Sequence, residues 1–162
     1  MREAPSRSRY DAIAARAQEV LAACQVEAPP VPVKAVAEAQ GLRLAFVRFG
    51  RLRQSLPGFL DVSAATLFIN SEDSLWQQAS TMAYELGHWM LHRPLFLENP
   101  GRYILRLRGG APANALQQEA AVFAGCLLAP AAFLRPVKDL APPAELARLF
   151  LISTPLLENR LR

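Results

Sequence analysis

From Leu75 to His92 the chain reads LWQQASTMAYELGHWMLH, a proline-free run with apolar residues at helical spacing. Ser74 just before it suits an N-cap, and Pro94 just after it predicts where the helix stops. Both histidines of the protein, His88 and His92, lie in this one helix. Any fold the chain adopts is therefore arranged around a helix that carries all of its imidazoles.

The flanking sequence supplies the other layers. Between Arg9 and Cys24 apolar residues again recur at helical spacing, with Asp11 near the positive end of the dipole, and residues 1–8 before them read as a flexible lead. Pro29, Pro30 and Pro32 form a joint, after which Val33, Val36 and Ala37 predict a short helix closed by Gly41. The period then changes: Leu42, Leu44 and Phe46 alternate with other residues, and PGFLDV and ATLFIN read as two more strands joined by a turn near Ser63. A small, mostly antiparallel sheet is expected. A further helix runs from about Asn114 to Leu128, and residues 142–162 predict a closing helical pair, PPAELARLFL then STPLLENRLR. The fold class is α+β, a helix-rich single domain over residues 1–162.

Composition narrows the function. At 162 residues, 52% hydrophobic and 20% charged, the chain is too apolar for intrinsic disorder and long enough to bury one core. Its longest apolar run, Ala120 to Leu134, is too short to span a bilayer and contains Pro130. No apolar segment follows the charged N-terminus as a signal peptide would require, so the expectation is a cytoplasmic protein with no membrane partner. Cys24 and Cys126 sit in Ala/Leu-rich stretches and read as small buried hydrophobes. A net charge of +4 permits binding to nucleic acid or an acidic partner without requiring it.

Chemistry concentrates on the histidine helix. Glu85, His88 and His92 are spaced by three and four residues and so share one helical face. The string AYELGHWMLH differs at one position from the zinc-protease signature H-E-x-x-H, with Tyr84 in place of the first histidine. In that signature two imidazoles one turn apart hold zinc, and the glutamate is the base for the metal-bound water. Gly87 costs the helix about 1 kcal/mol relative to alanine, which points to close packing at that position.

With these residues the sequence resembles the ImmA/IrrE family of metallopeptidases, whose helix reads A-H-E-L-G-H followed by L-L-x-H. The segment QQEAAVFAGCLLAP, from Gln117 to Pro130, resembles the family's second helix, and PVKAVAEAQGLRL, PGFLDVSAATLFIN and LARLFLISTPLLENRL resemble its early helix and strand, its hairpin and its closing helices. The resemblance implies a zincin-like fold and a zinc-dependent endopeptidase that cleaves helix-turn-helix repressors. It also implies three metal ligands, at positions occupied here by Tyr84, His88 and Gln117. A neutral phenol is a weak zinc donor, so the metal motif reads as degenerate. The expectation is no cofactor, with zinc as the ion if one is held.

Three functions follow. The first is a peptidase-like protein that has lost proteolysis and binds a regulatory protein of the helix-turn-helix repressor class. The second is an active endopeptidase with a rearranged site, Glu85 as base and His88, His92 and Glu119 as ligands. The third is a nucleic-acid-binding module using Arg102, Arg106 and Arg108 and the closing helices. The closing pair has Leu151 at its turn where glycine is commoner, and its second helix carries arginine only late, at Arg160 and Arg162. Packing against the core is therefore expected of it rather than base reading.

Overall fold

A computed structural model describes residues 5–52, 54–99 and 114–162 of the chain. Helix α1 (Arg7–Ala23) opens at Ser6, whose hydroxyl accepts the Arg9 N–H. That capping bond starts the helix two positions before the spacing suggested, so Arg7 and Ser8 are helical rather than part of a flexible lead. Ile13, Ala17, Val20 and Leu21 form its buried stripe. Helix α2 (Val33–Ala39) ends as expected at Gly41, whose φ of +89° is a left-handed conformation that a side chain would strain. The Trp89 indole N–H donates to the Gln40 carbonyl at 2.9 Å and ties this helix end to the central helix.

Three strands follow, β1 (Arg43–Val47), β2 (Gly58–Asp61) and β3 (Thr66–Asn70), in the order β1-β3-β2. β2 and β3 form the expected antiparallel hairpin, with Phe59 opposite Phe68 and their rings stacked 4.7 Å apart. β1 instead runs parallel to β3, with Leu44 opposite Leu67, so the sheet is mixed rather than mostly antiparallel. The connection after β1 carries the chain two strand spacings sideways, roughly 10 Å, and leaves a slot that β3 enters from the other end. Leu60, Leu67 and Ile69 are buried.

Helix α3 (Leu75–Glu98) begins with a capping box in which Ser74 and Gln77 exchange side-chain-to-backbone bonds. It is the centre of the molecule. Ala79 and every residue from Thr81 to Trp89 are buried, as expected of a helix packed on all sides. Pro94 does not end it. The helix continues one more turn, because Phe96 is buried with its ring edge-on to His88 at 5.5 Å and beside His92 at 6.2 Å. That packing offsets the backbone bond proline removes.

Helix α4 (Ala115–Leu128) is capped by Asn114 and lies against both α1 and α3. A short α5 (Ala131–Leu134) leads to α6 (Pro143–Phe150) and α7 (Thr154–Leu161). Leu151 joins these last two with φ +55°, a left-handed cap made without glycine. Leu146, Phe150, Ile152 and Leu157 are buried in the core, so the closing pair packs as the sequence predicts. Among the described residues no helix is long and apolar enough to cross a membrane.

Candidate functional site

Two helices build the site. On α3, Tyr84, Glu85, His88 and His92 are all buried, and α4 supplies buried Gln117 and, two residues on, Glu119. Gly87 sets the separation of the helices. A β-carbon there would lie 3.0 Å from the Ala120 carbonyl oxygen, 3.1 Å from its α-carbon and 3.3 Å from the Phe123 β-carbon. Only a residue without a side chain lets the walls approach this closely.

A chain of polar contacts crosses between the walls. His88 Nδ1 and His92 Nδ1 are 2.9 Å apart, and His92 Nε2 lies 3.0 Å from Glu119 Oε2. Glu119 is gripped from its other side by α1, where Arg9 Nε donates to Oε1 at 3.0 Å and Arg9 Nη2 donates to Oε2. This two-pronged grip holds the Glu119 carboxyl below the usual carboxylate range, with the His92 contact acting in the same direction. Burial pushes the His92 imidazole below its ordinary value, a shift Glu119 opposes and the Arg9 charge reinforces.

These directions fix the protons. An ionised Glu119 only accepts, so neutral His92 carries its hydrogen on Nε2 and presents a bare Nδ1. His88 then donates from Nδ1 across the 2.9 Å contact. Tyr84 stands edge-on to this imidazole, ring centres 5.0 Å apart at 87°.

A structural zinc takes about four donors that converge on one point. Here His92 meets His88 with one ring nitrogen and Glu119 with the other, on opposite edges of the imidazole. The three residues are brought together, as a relay rather than a cage. Among the described residues no group of three or more His, Cys, Asp or Glu side chains is placed to hold a metal ion. In this arrangement the three side chains do not converge on one point, and His92 bridges the other two.

Sequence reasoning missed Arg9. It lies 110 positions from Glu119, and no local pattern marks it as a partner. Trp89 also has a defined role, with the Arg93 guanidinium 4.1 Å above its ring. Arg102, Arg106 and Arg108 fall outside the described residues.

A long histidine-bearing helix packed against a second, largely apolar helix, beside a small mixed sheet, makes an α+β domain. The profile of the IrrE N-terminal-like domain (Peptidase_M78) matches residues 37–162, and the chain belongs to that family. A solved structure described as a Mycobacterium tuberculosis transcriptional regulator is similar in fold, with a TM-score of 0.66 at 19% sequence identity. The match covers 95% of this chain and 48% of that one, so this chain spans about half the regulator's length. No curated protein matches it.

Proposed function

We propose that this protein is a peptidase-fold regulatory module that binds a protein of the helix-turn-helix repressor class and does not cut it. The observation that carries this reading is the Tyr84–His88 pair. A buried phenol packs edge-on against the imidazole where the family resemblance implies a second zinc-binding histidine. A phenol with a pKa near 10 gives a divalent ion little at neutral pH. Gln117, a neutral amide at the third ligand position, adds no charge, and Glu119 is committed to Arg9 and His92. Without an ion to polarise water, Glu85 has no nucleophile to activate. The outer surface of the domain then serves recognition. The fold likeness to a transcriptional regulator supports a regulatory setting.

The test is the zinc content of protein purified without a histidine tag or chelator, compared with His88→Ala. Background zinc in both is the expected result. Near-stoichiometric zinc that disappears in the variant overturns the reading. In parallel, calorimetry with purified helix-turn-helix repressors is expected to find a complex whose components keep their intact masses. A repressor fragment would restore the peptidase, and failure of every repressor to bind would remove the partner class.

A further inference from the structure

A second concave site lies apart from the histidine relay. A cavity of about 450 Å³ opens between α1, the α4–α5 junction with the segment after it, and the end of α7. Four cationic side chains line it, Arg135, Lys138, Arg160 and Arg162, and no aspartate or glutamate does. Lys138 makes one loose contact, 3.9 Å from Asp139, with both groups well exposed. Among the described residues the three arginines have no carboxylate partner. Three guanidinium groups and one ammonium group around a single hollow focus a positive potential into it.

Arg160 is also fixed in place. Its Nε donates to the Ala129 carbonyl at 3.1 Å and its Nη1 to the Tyr10 hydroxyl at 2.7 Å, while Nη2 makes no hydrogen bond among the described residues. The guanidinium is thus held on two sides with one N–H edge left over, which reduces the entropy lost when an anion docks. Ala14, Pro130, Leu134 and Leu161 supply apolar wall between the charges.

We propose that this cavity binds a small phosphorylated ligand of nucleotide size. Bare phosphate would leave most of the volume empty, whereas pockets of roughly 300–1,000 Å³ take small organic ligands. Guanidinium forks match phosphate oxygens, and the apolar wall suits the organic part. A duplex is a rod with charge spread along it and does not enter a hollow of this size, so a small molecule fits the shape better.

The test is calorimetric titration of the full chain with ADP at fixed ionic strength, with adenosine and citrate as comparison ligands. One saturable ADP site is expected, with adenosine and citrate each weaker by about tenfold or more, a difference of about 1.4 kcal/mol. The double variant Arg135→Ala, Lys138→Ala changes two exposed side chains, so it is expected to melt like the parent while losing about tenfold or more in ADP affinity. Absence of saturable ADP binding overturns the proposal. So does adenosine or citrate binding as tightly as ADP, or an unchanged affinity in the double variant. A duplex oligonucleotide that displaces ADP with a steep salt dependence would reassign the surface to nucleic acid.

Discussion

Arg9 on the first helix holds the Glu119 carboxylate through two parallel N–H···O contacts, and that carboxylate in turn holds His92. One surface-lying cation thereby orders a histidine pair in the middle of the protein. Arg9 is half exposed, so solvent screening limits what the pair adds to stability.

Arg9→Ala is expected to lower stability by about 1 kcal/mol, a melting shift of about 2–4 °C at this chain length. The more specific consequence is electrostatic. Loss of the Arg9 charge removes one of the influences that depress His92, so its pKa should move up toward the ordinary histidine value. Ring-proton NMR titration of parent and variant measures this, and an unmoved His92 would sink the relay.

Stability should fall on acidification in two stages. His92 has a folded pKa below its unfolded value, so below about pH 6.5 the unfolded chain takes up a proton that the native state refuses, and stability declines until the folded pKa is passed. Glu119 is also depressed. Its contribution is present above the unfolded carboxylate value and is lost as pH falls through the lower folded value. Melting temperature against pH should show both limbs, with the lower one flattened in Glu119→Gln. A parent curve level from pH 7 to 5 would contradict the His92 assignment, and no fall below about pH 4.5 would contradict that of Glu119.

Gly87→Ala pits two effects of similar size against each other. Helix propensity favours alanine by about 1 kcal/mol. The new β-carbon would sit 3.0 Å and 3.1 Å from Ala120 backbone atoms, which cannot rotate away, and overpacking of this kind costs about 1–3 kcal/mol. The net expectation is a loss of stability in urea unfolding, and a stabilised variant would show that the helix walls separate easily.

Restoring the family's ligands should create a metal site. Tyr84→His together with Gln117→Glu places two imidazoles one turn apart on α3 with a carboxylate on the facing helix α4, and zinc affinity is expected to rise above the parent's. Competition with a chromogenic chelator reads it. If the double variant gains no zinc, or binds less than the parent, a native site lies elsewhere.

Pro94→Ala is expected to stabilise. Pro94 is exposed within α3, so truncating its ring loses little packing, and alanine restores a backbone donor inside the helix. The gain should be about 1 kcal/mol or more after the added freedom of the unfolded chain is subtracted. A destabilised variant in denaturant titration would mean that the bend at this position is needed to seat Phe96.

Much of this architecture was legible in the residues. The cap at Ser74, the glycine stop at Gly41 and the strand alternation are local signals, and local backbone chemistry produced the corresponding elements. Strand direction was not legible, because alternation has period two whichever way a strand runs, and β1 pairs with β3 only through the path of the loop between β1 and β2. The end of α3 was misplaced for a similar reason: Phe96 overrides Pro94 by packing on histidines a turn and two turns away. In the site, spacing gathered Glu85, His88 and His92 onto one face. It could not reveal that Glu119 points at Arg9, a contact made only when α1 docks.

That docking has a consequence for where the functional unit begins. The family profile starts at residue 37, inside α2, yet Ile13, Ala17, Val20 and Leu21 fill part of the core and Arg9 completes the relay. A fragment trimmed to the boundary of similarity would expose an apolar face of α4 and leave Glu119 without its cation. The segment that ancestry marks out and the segment that physics needs are different lengths of the same chain.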